Sequence, residues 1–375
     1  LNYGYNNRYL LEASARKDGS YRFGKSQRWG LFPAVSAGWR ISEEPFFKET
    51  RAFDFIDNLK LRASVGETGN DKISSFQFLD SYTYMQGKYP DIWPDFFPPV
   101  IENESQINLV SGVFPNYDLT WEKLISKNIG LDATLFNNHV GIEADYFFRT
   151  TKDMLRPRIL SIPATCGRKL PDENYAEMKS KGVELTLSYR GNVNSFGYNF
   201  RFNISYATNK LTKLDVPEGI ADYQNSLGKP LNATVGYLAM GLFQDQKEVD
   251  DWVNQFGSKP NVGDIKYADV SGDGEITEGD QLQISDNSGA PLVVYGFSSN
   301  FRWKNFDADI FFQGAAKRDI MLGEEAMVFF RAEVNNSFAY LNDYWTPENP
   351  GAKYPRPTID YSNNNSQNKR AHKTH

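Results

Sequence analysis

The chain has 375 residues and a net charge of −6, from 41 basic and 47 acidic side chains, so it lacks the basic surplus of a nucleic-acid-binding protein. A single cysteine, Cys166, excludes an internal disulfide framework, and only three histidines argue against a histidine-rich metal centre or a Ser/His/Asp triad. Aromatic residues make up 15% of the chain, yet no apolar run reaches the length of about 18 residues that a transmembrane helix needs.

Most of the chain alternates apolar and polar residues with a period of two, which predicts β-strands. In "KGVELTLSYRG", for example, Val183 and Leu185 point to one face, and Glu184 and Thr186 point to the other. Helical periodicity is nearly absent, apart from a weak helix prediction near 321–333. In chain order, the predicted strands are 8–17, 28–41, 57–67, 118–135, 139–150, 181–190, 197–208, 291–303 and 306–316.

Several predicted strands are longer than the usual globular strand of about five or six residues. A soluble sandwich would have shorter strands, whereas long strands with an aromatic-rich apolar face and a charged face are typical of a membrane barrel. The predicted strands are odd in number, and an open sheet edge cannot lie in hydrocarbon. Either the strand count is off and a small barrel closes, or the chain is a piece of a larger barrel; we favour the piece.

The connections between the predicted strands mostly alternate between short and long. In a membrane barrel, short turns face the periplasm and long loops face outside. Only 42–56 breaks the alternation, because it is too long for a tight turn yet falls on the short side. The short turns are predicted at 136–138, 191–196 and 304–305, and the long loops at 68–117, 151–180 and 209–290.

The stretch "DVSGDGEITEGD" (269–280) has the oxygen spacing of a calcium-binding loop. Gly274 permits the sharp turn, Ile276 is expected to pin the loop to a sheet, and no EF-hand helices flank it. The same residues also suit an Asx/Gly-rich turn that holds no ion, so a structural Ca²⁺ is one of two alternatives. The candidate ligands are Asp269, Ser271, Asp273, Glu275 through its carbonyl, Thr277, and Asp280 in place of the usual Glu.

Seven motifs, in order along the chain, resemble the barrel of SusC/RagA-type TonB-dependent outer-membrane transporters of Bacteroidota. They include "NLKLRASVGETGN" (58–70), a Trp-Glu strand with its hairpin (117–155), and "NYAEMKSKGVELTLSYR" (174–190). The remaining motifs lie at 8–47, 263–284, 295–314 and 344–357.

This resemblance implies a plugged barrel of about 22 antiparallel strands, an all-β fold of which the chain supplies the middle-to-late strands. Residues 1–366 would form a partial barrel domain, and 367–375 an atypical tail. There is no initiator Met at the start, and we expect the plug, the TonB-contacting region and the closing strands to lie outside this sequence.

The function implied by the resemblance is nutrient import across the bacterial outer membrane, energised by the TonB complex, without enzyme chemistry. The implied partner is a SusD-like surface lipoprotein, and the implied cargo is an oligosaccharide or a peptide. A soluble, calcium-stapled all-β carbohydrate-binding module and a purely structural barrel are the alternatives. Detergent dependence separates the module from a barrel, and TonB-dependent uptake separates a transporter from a structural barrel.

Exposed aromatic residues in long loops are candidates for stacking on a sugar ring. Alternatively, they pack the loops together or meet the partner lipoprotein. Four tryptophans near strand ends, Trp29, Trp39, Trp121 and Trp303, instead suit the aromatic girdle at the membrane interface. The candidate cargo contacts are Tyr82, Tyr84, Tyr89, Trp93, Phe96, Phe97, Tyr223, Tyr237 and Phe243.

Charged residues on the polar strand faces could be taken for acid/base pairs. Asp307 and Asp309, for instance, share one face about 7 Å apart. In a barrel, however, such residues are expected to form a hydrogen-bonded network lining the lumen. The set comprises Lys60, Arg62, Glu143, Asp145, Glu184, Arg201, Arg302, Asp307 and Asp309.

Overall fold

A computed structural model of the chain describes two compact units. The first unit contains Leu1–Pro217 and Gly296–Phe312, and the second contains Glu218–Tyr295 and Gln313–His375. The described residues are 1–86, 107–158, 170–220, 225–231, 233–287, 289–320, 338–358 and 372–374. The helix predicted near 321–333 lies outside them.

The first unit is built on a ten-stranded sheet with the order β1-β2-β3-β4-β7-β8-β9-β10-β16-β17. From β1 through β10 every adjacent pair is antiparallel. Within the described residues the sheet stays open. Its strands are β1 (Asn2–Tyr5), β2 (Tyr9–Gly19), β3 (Trp29–Arg40), β4 (Ile56–Asn70), β7 (Glu122–Leu135), β8 (Val140–Pro157), β9 (Asp172–Val193), β10 (Phe196–Lys213), β16 (Val293–Trp303) and β17 (Phe306–Ala316).

All nine predicted strands are confirmed, and the short β1 is the tenth member of the sheet. The tight turns are also confirmed, since two residues join β9 to β10 and two join β16 to β17. The turn between β7 and β8 holds Phe136, Asn137 and Asn138, all with φ between 54° and 61°. A left-handed backbone suits asparagine but is unusual for phenylalanine.

Strands β8, β9 and β10 extend well beyond their predicted ends on the long-loop side. They contain 18, 22 and 18 residues, whereas about 9 to 11 residues cross a bilayer. The extensions carry polar residues on both faces, so their alternation is lost and the period-two pattern could not mark them. These strands therefore reach past the membrane into the region of the long loops.

Cross-strand register joins the apolar positions of the sheet into continuous rows. The opposite face carries charged residues in the same register, such as Arg62, Asp145 and Glu184. A basic side chain facing the middle of the bilayer costs about 2–4 kcal/mol, so the charged face lines the lumen and the apolar face meets lipid. One lipid-facing row contains Tyr9, Trp39, Leu61, Leu131, Ala144, Leu185 and Ile204.

The connection between β3 and β4, predicted at 42–56 and too long for a tight turn, is made of short helical turns. A 3-10 turn at Ile41–Glu43 leads into α1 (Pro45–Lys48), and a second 3-10 turn follows at Arg51–Phe53. Pro45 lies in the first turn of α1, where its missing N–H leaves no hydrogen bond unmade. The segment is thus neither a tight turn nor a strand.

A separate hairpin, β5 (Tyr82–Gln86) with β6 (Ile107–Ser111), lies within the long 68–117 connection. No helix of the described residues is long and apolar enough to cross a membrane.

The second unit has its own small sheet around β11 (Thr234–Leu242). The core beneath it contains Tyr237, Tyr267 and Ile276, each at most 3% exposed. The tail predicted at 367–375 contributes β18, which runs parallel to β11. The remaining elements are α2 (Gln246–Asp250), β12 (Asn254–Gln255), β13 (Ile265–Tyr267), β14 (Glu275–Ile276), β15 (Leu282–Ser285) and β18 (His372–Thr374).

Candidate functional site

The lumenal face is organised around Arg62 on β4. Its guanidinium donates two parallel hydrogen bonds to Asp132 of β7, from Nε to Oδ2 at 2.8 Å and from Nη2 to Oδ1 at 2.7 Å. Nη2 also donates to Oδ2 of Asp145 on β8 at 2.9 Å. One arginine therefore ties three neighbouring strands together, and the predicted lumenal network is present at this point.

Gly130 makes this arrangement possible. It lies directly opposite Arg62 and Asp145 in the register. A Cβ at Gly130 would lie 2.4 Å from Oδ1 of Asp145 and 2.8 Å from Cζ of Arg62, closer than real side chains approach. Sequence reasoning missed both Gly130 and Asp132, because a glycine under a cross-strand ion pair is recognisable only once the register is known.

A second polar ladder crosses β10, β16 and β17. Asn199 donates to Asn300 at 3.0 Å, and Asn300 in turn donates to Asp309. Arg302 donates to Asp307 at 2.8 Å. The two aspartates therefore each bind a partner on the neighbouring strand, an arrangement that builds a polar wall.

Among the predicted cargo contacts, Tyr82 is 57% exposed and begins the β5–β6 hairpin. Tyr84 lies in the same strand, paired with Leu109. Five candidates in the 68–117 and 209–290 connections lie outside the described residues. They are Tyr89, Trp93, Phe96, Phe97 and Tyr223.

Tyr237 and Phe243 are not exposed loop aromatics, so this part of the prediction is wrong. Tyr237 is 3% exposed and packs edge-on against Phe256 and beside Tyr267, while Phe243 is 0% exposed. Ring faces that are covered by other rings are unavailable to a sugar. Both residues form the hydrophobic core of the second unit, because the 209–290 loop contains a folded sheet.

Three of the four girdle tryptophans are exposed, with Trp29 at 62%, Trp39 at 38% and Trp303 at 49%. The prediction for Trp121 is wrong, because only 6% of it is exposed. It packs in a cluster whose other members are Phe23, Phe32 and Leu119.

The calcium-type loop brings three of its predicted ligands together. Carboxylate oxygens of Asp269, Asp273 and Asp280 lie within 4.8 Å of one another, and two oxygens that each bind one calcium at about 2.4 Å are at most about 4.8 Å apart. Ile276 is fully buried in the core of the second unit. Glu275 and Ile276 pair with β12, so the loop is attached to folded structure.

Asp280 has a structural task within this loop. Its Oδ1 accepts hydrogen bonds from the backbone of Val270 and Ser271, and its Oδ2 accepts one from Thr277. Together with the Thr277 side chain, it completes a capping box on the 3-10 turn Glu278–Asp280. These hydrogen bonds are the ones expected of an Asx/Gly-rich turn that is stable without an ion, which is the alternative to a calcium site.

Asp269 is held in the same manner. Its carboxylate accepts from the backbone of Gly274 at 2.9 Å and of Gly272 at 2.6 Å, and from the hydroxyl of Ser271 at 3.3 Å. These donors, that of Gly274 first, hold the pKa of Asp269 below its usual range. Both glycines have positive φ, 73° and 87°, so the backbone can turn its N–H groups toward the carboxylate.

Known proteins share this fold and much of its sequence pattern. The family described as TonB dependent receptor-like, beta-barrel matches residues 1–277. TonB-dependent receptor P3 of Formosa agariphila is 29% identical over 373 residues, which are 96% of this chain and 35% of that protein. TonB-dependent receptor SusC of Bacteroides thetaiotaomicron is 29% identical over 322 residues, covering 82% and 29%.

A solved structure of the RagAB peptide transporter matches with a TM-score of 0.71 at 23% identity, over 95% of this chain and 37% of that chain. The chain thus spans about a third of the length of the proteins it matches. The predicted SusC/RagA resemblance is confirmed, and the chain belongs to the TonB-dependent receptor β-barrel family of the bacterial outer membrane.

Proposed function

We propose that the protein imports a nutrient across the outer membrane, energised by TonB, with a SusD-like lipoprotein at the cell surface. The observation that carries this proposal is the two-faced sheet. Its outer rows are apolar, and its inner rows hold the Arg62 network and the Asn199–Asn300–Asp309 ladder. Such a wall separates lipid from a polar lumen, the surroundings that a polar cargo such as an oligosaccharide or a peptide requires.

The alternative of a soluble carbohydrate-binding module is wrong, because the chain belongs to an outer-membrane barrel family. The relatives found are receptors and transporters, which supports transport without covalent chemistry. A barrel with a purely structural role would need neither TonB nor a cargo, and an experiment can distinguish it.

The test is uptake by cells that express the full-length transporter containing this chain. Labelled oligosaccharides and peptides are offered to the wild type, to a deletion strain and to a strain without TonB. We expect one cargo class to accumulate only in the wild type. Equal accumulation with and without TonB would refute active import, and recovery of the protein without a SusD-like lipoprotein after gentle solubilisation would refute the partnership.

We propose Tyr82 as a cargo contact, because its side chain is 57% exposed at the start of the β5–β6 hairpin. A Tyr82→Ala variant should lower the affinity for cargo while leaving the amount of folded barrel unchanged. Tyr117→Ala is the matched control, since Tyr117 is 64% exposed and was not a candidate contact. Equal affinities in the two variants would remove Tyr82 from the site.

We also propose that the 269–280 loop binds a structural Ca²⁺. Three carboxylates at a suitable separation support it. Oδ2 of Asp269 and Oδ2 of Asp280 each accept a single backbone hydrogen bond and so keep a lone pair for an ion. The expected ligands remain Asp269, Ser271, Asp273, Glu275, Thr277 and Asp280.

Calorimetry on the full-length protein tests this site directly. Asp273→Asn should abolish the calcium heat, because it removes one of the three clustered carboxylates. The loop should keep its fold, because Asp273 accepts only one backbone hydrogen bond, from Glu275. Asp251→Asn is the control, because Asp251 is also exposed and pairs with Lys247 instead. Absence of binding by the wild type at millimolar calcium would leave the loop a self-sufficient turn.

A further inference from the structure

The connection between β3 and β4, residues 41–55, is here termed the rim segment. It lies at the short-turn end of the sheet, because Ile56 pairs with Leu135 immediately before the β7–β8 turn. Short turns of outer-membrane barrels face the periplasm. The rim segment is therefore at the periplasmic edge of the barrel wall.

Glu44 shows on which side of the wall the rim segment lies. Its Oε1 accepts hydrogen bonds from the hydroxyl of Tyr9 at 2.6 Å and from the indole N–H of Trp39 at 2.9 Å. Both aromatic residues belong to the lipid-facing row. Glu44 itself is only 7% exposed. Since its carboxylate reaches the tips of outward-facing rings, the rim segment continues the outer surface of the barrel and not the lumen.

The adjacent phenylalanines of α1 have opposite environments. Phe47 is 7% exposed and stacks on Phe53, with ring centroids 4.7 Å apart. Phe46 is 55% exposed. Phe47 therefore anchors the segment to its own fold, while the ring of Phe46 has most of its surface free.

A second aromatic pair joins the end of the rim segment to the β7–β8 turn. Phe55 and Phe136 stack at 5.5 Å and are 46% and 52% exposed. Both rings therefore add exposed apolar surface at this end of the sheet.

We propose that the rim segment inserts into the headgroup region of the periplasmic leaflet, with Phe46 as its inserted residue and Phe55 and Phe136 beside it. The lipid-facing band is continuous with it through Tyr9 and Trp39. In the rim segment, acidic residues outnumber basic residues, four against two. The partner is therefore the apolar–polar boundary of a phospholipid bilayer, reached by burial of rings and not by attraction to anionic headgroups.

The test places a fluorophore on Phe46→Cys in the full-length transporter, with other cysteines replaced, reconstituted in phosphatidylcholine vesicles. Phe76→Cys is the matched control, because Phe76 is 53% exposed and lies in the long connection after β4 at the opposite end of the strands. Heat-modifiable migration on a gel confirms that both variants are folded.

Nitroxide lipids labelled near the headgroup should quench the Phe46 probe and spare the Phe76 probe, whereas aqueous iodide should do the reverse. Adding phosphatidylglycerol should leave the result unchanged. Iodide quenching of the Phe46 probe equal to that of the control would overturn the proposal. Protection from both quenchers would show that protein covers Phe46, and dependence on phosphatidylglycerol would show charge-driven binding; either outcome also overturns it.

Discussion

Replacing Gly69 by alanine would place a methyl group inside the cluster around Trp121. The new Cβ would lie 2.1 Å from Cζ of Phe32 and 2.8 Å from Cε3 of Trp121. The two rings meet edge to face at 5.4 Å and are 4% and 6% exposed. Fully buried Phe23 and Leu119 complete the cluster, so neither ring can move aside without displacing another.

The cost of this substitution follows from two opposing effects. Forcing an extra carbon into a packed core costs about 1–3 kcal/mol, whereas alanine regains about 0.5–1 kcal/mol over glycine within a regular strand. We therefore expect Gly69→Ala to lower the free energy of unfolding by roughly 0.5–2 kcal/mol.

Gly66→Ala on the same strand is the matched control. Its nearest neighbour would be Cβ of Ala34 at 3.1 Å, a contact that a small shift relieves, so its stability should equal or exceed that of the wild type. The assay is urea unfolding of the full-length barrel, followed by the heat-modifiable band on a gel. Equal midpoints for the Gly69 and Gly66 variants would refute the argument that the cluster around Trp121 is rigid.

Three further predictions concern polar residues. Asp132→Ala should destabilise the barrel more than Asp145→Ala in urea, by on the order of 1 kcal/mol, because Arg62 binds the first carboxylate bidentately and the pair is partly exposed to water. Asn174→Ala removes three hydrogen bonds to neighbouring backbone and should cost about 2–4 kcal/mol, whereas Asn174→Asp should retain the one that its oxygen accepts. The pKa of Asp269 is lowered on folding. Its stabilising effect should therefore be complete above its unfolded pKa of about 4 and disappear as the pH falls through the folded value. Hydrogen exchange of the loop should show this pH dependence in the wild type, and the Asp269→Asn variant should lack it.

The sheet could be predicted because each of its strands shows one simple pattern. A strand with lipid on one side and a polar lumen on the other must alternate apolar and polar side chains, such as Val183 and Glu184. This alternation persists over the membrane-spanning length. The pattern stops beyond the membrane, where polar residues lie on both faces of the strand extensions and tertiary packing buries single residues such as Tyr175. The extension of β9 back to Asp172 was missed for that reason, although its neighbours continue to pair with it.

Most strands of the second unit could not be predicted from periodicity. Strands β12, β13 and β14 have only two or three residues, too few to show alternation. What stabilises them is tertiary contact, as where buried Gln255 hydrogen-bonds the backbone of Ile265 and Tyr267. Strand β11 is longer, but its sequence TVGYLAMGL is almost wholly apolar, so it does not alternate either. Tyr237 of β11 was therefore assigned to a loop and a cargo site, and it is a core residue.

Two tryptophans of this chain, Trp39 and Trp121, differ in what covers the ring and in what their indole N–H groups contact. Trp39 is partly exposed, and its indole N–H is satisfied by Glu44 at the membrane edge, which suits an interfacial residue. Trp121 has its indole N–H directed at the backbone oxygen of Arg28 and its faces covered by other rings. Because both tryptophans stand near strand ends in the sequence, position alone could not separate them. The distinction depends on Gly69, whose missing side chain leaves the space that Trp121 and Phe32 occupy.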